Sequence, residues 1–161
     1  MSLKDIREQI KVILSGVEGI GIVHDSEKFA GDWRKYLDLF HDPVSGRING
    51  CFFKRESRHE RQRTLGETEI FHIFVIRRFM GVKVADDTGV LFENTDELVV
   101  AAFKNKKSLN KTCLTIDPDW GEMQGAVGLQ VTVNEQRMFG GVLCHYSEGR
   151  LCAIEGQQNY D

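Results

Sequence analysis

Four cysteines and five histidines are the side chains of this 161-residue chain best suited to hold a metal or supply a nucleophile. Their spacing argues against both. No Cys-x-x-Cys or His-x-x-x-His pair occurs. Cys144 and His145 are neighbours in a predicted strand, so their side chains point to opposite faces. Cys144 and Cys152 would share a face of that strand about 26 Å apart, at roughly 3.3 Å per residue. Thiols and imidazoles spread over a sheet are the plain reading, with Cys51, Cys113, Cys144 and Cys152 expected to be reduced and metal-free. Gly16-Val-Glu-Gly19-Ile-Gly21 follows a helix and opens a strand, the reverse of a dinucleotide-binding loop. Asp117-Pro-Asp119 beside Trp120 is a turn sequence, with no oriented acid or base elsewhere to join it. No elbow or paired histidine marks a serine or cysteine nucleophile. No catalytic residue, cofactor or metal is assigned.

The segment 54–63 is different. Lys54, Arg55, Arg58, Arg61 and Arg63 stand there against Glu56 and Glu60. Arginine suits bidentate pairing with carboxylates or phosphates. A solvated loop, a partner surface and a phosphate-facing rim all fit, and the five cations are the candidate inter-subunit or channel contacts. They fall between two predicted strands, 47–53 and 70–80, as a charged hairpin arm over 54–69. Hairpin connections are usually two to five residues, so a longer one is usually functional or disordered. The arm is expected to be mobile or extended in the isolated subunit and ordered on assembly.

The remaining elements must carry that hairpin. Leu3, Ile6, Ile10, Ile13, Leu14 and Val17 have helical spacing, with Gly16 as a stop. Residues 19–24 read as a short strand. A second helix is predicted from a cap at Asp25 or Ser26 through Phe29, Trp33, Leu37 and Phe40, ending at His41-Asp-Pro43. Leu91, Thr95, Leu98, Val99, Ala102 and Phe103 trace one face of a third, with lysines 104, 106 and 107 at its C-terminal end. Strands are predicted at 112–116, 125–134 and 142–155, most simply a meander. Ile10, Leu14, Trp33, Leu37, Phe74, Ile76, Leu98 and Phe103 are the predicted core. The stretch from Met138 to Tyr146, rich in aromatic and sulfur side chains around two glycines, reads either as core or as a subunit interface.

Helices interrupt the strands without alternating with them, which favours an α+β fold over a doubly wound sheet. A single domain over 1–161 is expected, with about three helices on a mixed, largely antiparallel sheet. The net charge of −3 excludes a general electrostatic nucleic-acid binder. No apolar run approaches the roughly 20 residues of a spanning helix, so no membrane partner is expected. The start of the chain lacks a signal-peptide pattern, and cytoplasmic synthesis is expected.

The order of elements resembles that of the tail-terminator proteins of long-tailed bacteriophages and prophages. The strings that carry the resemblance are Val23-His-Asp-Ser-Glu-Lys-Phe-Ala-Gly-Asp-Trp33, Gly46-Arg-Ile-Asn-Gly-Cys-Phe-Phe53, Phe71-His-Ile-Phe-Val-Ile-Arg-Arg-Phe-Met-Gly81, and the stretch from Arg137 to Tyr146 continuing through Leu151 and Cys152. The resemblance implies a structural virion protein and not an enzyme. Its subunits would form a hexameric ring, cap the tail tube, end its polymerisation and prepare head–tail joining. The implied partners are the chain itself, the tail-tube protein, head–tail joining proteins, and DNA passing through the channel without sequence specificity. A head–tail joining (neck) component of similar fold, or a small cytoplasmic ligand-binding or enzymatic domain, is the alternative.

Overall fold

The computed structural model of the chain describes residues 1–28, 32–119, 121 and 123–158. Its centre is one sheet in the order β1-β3-β4-β6-β5, with β2 (His41–Asp42) paired to β3 off that path. Among the described strands only the short β1 (Ile22–His24) runs parallel, against Gly50 to Phe52 of β3. The fold is α+β, a single domain with a largely antiparallel sheet.

α1 (Leu3–Ser15) forms where the apolar stripe predicts it. Ser2 caps it by accepting from the Asp5 amide at 3.1 Å. Its buried side chains, Ile6, Ile10, Ile13 and Leu14, pack on the sheet face that carries Cys51, Phe53, Phe74, Ile76, Leu151 and Ala153. α3 (Thr88–Lys104) covers the same face through Val99 and Phe103. On the other face, Phe40 and Tyr36 cover Phe52, Phe79, Cys144 and Tyr146. α2 (Trp33–Asp38) is shorter than predicted and is capped by Asp32, not by Asp25 or Ser26. Phe29 and the side chain of Trp33 lie outside the described residues.

The core prediction holds for Ile10, Leu14, Leu37, Phe74, Ile76 and Phe103. It fails at Leu98, which is 48% exposed, and Leu91, placed on the same predicted helical face, is exposed too. The buried face of α3 is instead Phe92, Thr95, Asp96, Val99 and Phe103, because Asp96 has a partner inside. Residues 112–116 do not form a strand. They make one bridge, Thr115 to Ile154, after three consecutive left-handed residues, Leu109 to Lys111.

The largest correction concerns the hairpin. β3 (Arg47–Thr64) and β4 (Glu67–Gly81) run unbroken through the whole charged stretch and turn at Leu65-Gly66. The arm over 54–69, read as a long connection that is mobile or extended, is paired strand on both sides of that turn. β4 is flanked along its full length, by β3 on one side and by β6 (Val142–Gln158) on the other. β5 (Gln130–Phe139) returns along β6 through a tight turn at Gly140-Gly141, so the end of the chain is a hairpin and not a three-strand meander. Both turn glycines have positive φ, 55° and 83°, as a two-residue hairpin turn requires. The Met138 to Tyr146 stretch splits accordingly. Cys144 and Tyr146 are core, whereas Met138, Val142 and Leu143 are exposed.

Candidate functional site

The distal part of β3, β4 and β6 is a three-stranded ribbon carrying the five candidate cations, and each of them has a partner within the chain. Lys54 meets Glu27 at 2.5 Å. Arg58 meets Glu60, two residues along the same strand, at 2.5 Å. Arg61 crosses to Glu69 on β4 at 2.7 Å and to Asp119 at 3.2 Å, with its guanidinium over the Phe71 ring. Arg63 reaches the other oxygen of Glu69 at 2.9 Å. Glu69 is itself buried, so one carboxylate anchors two arginines. β3 carries irregularities at Glu56 and Arg63, where it gains a residue over β4.

Arg55, itself exposed, leads into a part-buried chain across all three strands. Its guanidinium donates to Nδ1 of His72 at 3.4 Å, and Nε2–H of His72 donates to Glu155 at 2.8 Å. This assigns the neutral tautomer with the proton on Nε2. His72 is 2% exposed. Burial lowers its pKa below the usual histidine value against the pull of Glu155, with Arg55 and Arg58 acting in the same direction as burial. His145 is lowered for the same first reason, held between the Thr88 hydroxyl at 2.9 Å and the stacked ring of Phe92.

On the face away from α1 and α3, a groove of about 430 Å³ runs over Phe71, Ile73 and Cys152. Glu56, Ser57, His59 and Arg150 form its walls, and Arg150 grips Glu56 with two contacts of 3.0 Å. Among the described residues the groove therefore offers an apolar floor and a pre-paired rim, without a carboxylate pair or an activated nucleophile. Among the described residues no group of three or more His, Cys, Asp or Glu side chains converges as a metal site.

All four cysteines are buried free thiols. Burial raises Cys51 and Cys113 to about 12, and Cys144 and Cys152 to about 11. The thiolate is the reactive form, so these groups are poor nucleophiles at neutral pH. A thiol reagent should therefore leave the folded protein nearly untouched and titrate all four groups in urea. Rapid stoichiometric labelling of any one in native buffer would contradict this.

The histidines give a pH dependence with a definite sign. In the unfolded chain they titrate near 6.5. Below that value the unfolded chain takes up protons that the folded imidazoles of His72 and His145 refuse. Stability is therefore full above about pH 6.5 and is lost as pH falls through it. The urea midpoint should drop between pH 7.5 and 5.5, and His72→Gln should flatten that drop. A midpoint that rises on acidification would sink the assignment.

Sequence reasoning missed one buried cluster. Arg78 on β4 donates to Asp96 on α3, to which Ser147 on β6 also donates at 3.2 Å, and its guanidinium lies 4.4 Å from the Phe92 ring centroid. Nε and one terminal nitrogen of Arg78, and Oδ2 of Asp96, have no hydrogen-bond partner among the described residues. The available signal was an arginine pair inside the apolar run Ile70 to Met80.

Compared with known proteins, the sequence matches no protein-family model and no curated protein.

Proposed function

We propose that this chain is a structural subunit of a long-tailed phage or prophage tail, which assembles as a ring at the end of the tail tube and stops its growth. The observation that carries the reading is the ribbon. From Phe53 to Thr64, β3 has a strand neighbour on one side only, and no backbone hydrogen bond reaches its outer edge from another described segment. An uncovered edge is a surface to which a neighbouring subunit can add. Its charged side chains admit only a neighbour that matches them. The likeness of its element order to tail terminators supplies the tube as the target, and the virion tail as the place.

Negative-stain microscopy of the purified protein, alone and with tail-tube protein, tests this. Rings that cap tubes of uniform length are expected. Tubes that grow without limit in its presence would refute it. A ligand-binding role is the second reading, favoured by the groove over Phe71, Ile73 and Cys152.

A further inference from the structure

The sheet has a second uncovered edge, and it is unlike the first. The free part of β3 bulges at Glu56 and Arg63 and is densely charged from Lys54 to Arg63, both of which narrow the range of strands it can accept. β5 pairs regularly with β6 from Val133 to Phe139, its one irregularity falling at Thr132. Its outer side receives no backbone hydrogen bond from another described segment.

The tight turn fixes which groups point outward. Phe139 and Val142 close the two-residue hairpin as a hydrogen-bonded pair. Alternation then aims the N–H and C=O of Asn134, Gln136 and Met138 away from β6. The side chains alternate too, with Val133, Glu135, Arg137 and Phe139 on one face and Asn134, Gln136 and Met138 on the other.

This seven-residue segment is complementary to itself. If two copies run antiparallel about Gln136, Glu135 faces Arg137 of the second copy and Arg137 faces its Glu135. Val133 and Phe139 face each other in the same reciprocal way. Asn134 lies opposite Met138, and no like charges meet. Face matches face throughout, so the two sheets continue into one. The hydrogen-bonded pairs would be 134 with 138, 136 with 136, and 138 with 134, about six backbone bonds in all. Within one subunit Arg137 already pairs with Glu135, both nearly half exposed, so the exchange desolvates neither from a buried state.

We infer that β5 is a homodimerisation edge, joined to a second copy of this chain across a two-fold axis at Gln136. A two-fold contact closes on itself, whereas a ring needs a head-to-tail one, so the inference does not rest on the ring reading.

Sedimentation equilibrium over a concentration series tests it. The chain should titrate between 18.3 kDa and twice that mass. Glu135→Arg and Arg137→Glu should each raise the dissociation constant at least about ten-fold, through like charges facing across the axis. Mixing these two variants should restore dimers, because each then supplies the charges the other lacks. Gln136→Pro removes an outward N–H and should give a monomer with an unchanged circular-dichroism spectrum. A wild-type chain that stays at 18.3 kDa throughout, a dimer indifferent to all three substitutions, or a mixture no tighter than its parts would each overturn the proposal.

Discussion

Replacing Arg78 by alanine should lower the unfolding free energy by about 3–5 kcal/mol, the usual cost of stranding one member of a buried ion pair. The Arg78 side chain is 3% exposed and that of Asp96 10%, so neither can recover its hydration in the fold. Burial already raises the Asp96 pKa, and the Arg78 guanidinium opposes that shift. Without Arg78, Asp96 must either carry an unpaired charge or take up a proton. Arg78→Met combined with Asp96→Leu should cost far less than either residue's removal alone, since apolar side chains of similar size often replace such a pair without loss. Urea denaturation of the two single variants and the double variant gives the cycle directly. A loss under about 1 kcal/mol for Arg78→Ala would place it among ordinary surface changes and sink the argument.

The second large effect concerns assembly. Among the described residues Arg58 makes its ion pair with the exposed Glu60, so Arg58→Glu should shift stability by no more than about 0.5 kcal/mol. If a neighbour reads the ribbon, that change alone should abolish rings in micrographs and, in a phage background, yield overlong or unjoined tails beside filled capsids. Reversing Arg61 and Arg63 is a different experiment. Both hold the buried Glu69, and Arg61 also holds Asp119. Their replacement by glutamate gathers carboxylates around a buried one and should open the ribbon tip even in the free subunit. Hydrogen exchange at the amides of 60–70 separates the cases, rising in the Arg61→Glu/Arg63→Glu chain and staying slow in the Arg58→Glu chain. Normal tails from Arg58→Glu would remove the ribbon edge from the assembly surface.

Much of the scaffold was legible because local signals agreed. In α1 the cap at Ser2, the acid at Asp5 and the stripe through Ile10 and Leu14 all mark the same helix. The charged part of β3 was not legible, because both of its faces are polar and the period-two pattern vanishes. What keeps it extended is non-local, the β4 ladder and the carboxylate of Glu69. The face of α3 was read correctly at Thr95, Val99 and Phe103 but not at Leu91 and Leu98, for a related reason. Leu91 and Leu98 look like core until Asp96 finds Arg78 from 18 residues away, and Ser147 from 51. Residues 112–116 have strand-like composition, yet Leu109 to Lys111 turn the chain first and leave room for a single bridge. The candidate cations were found by type and density, but their partners, from Glu27 to Asp119, are set by folding and not by spacing.

The double flanking of β4 has a consequence for the order in which this protein is made. Its β3 side is satisfied as soon as the local hairpin closes, but its β6 side waits until residue 158 has been synthesised. At about 5–20 residues per second, the 82–158 stretch takes roughly 4–15 s to emerge. Through that interval an apolar strand running from Ile70 to Met80 presents one bare edge inside the cell. Nascent chains on the same messenger, each with the same bare strand, are then the most abundant wrong partner. A slowed ribosome or a missing chaperone should therefore cost yield of soluble protein well before either touches the stability of the finished fold.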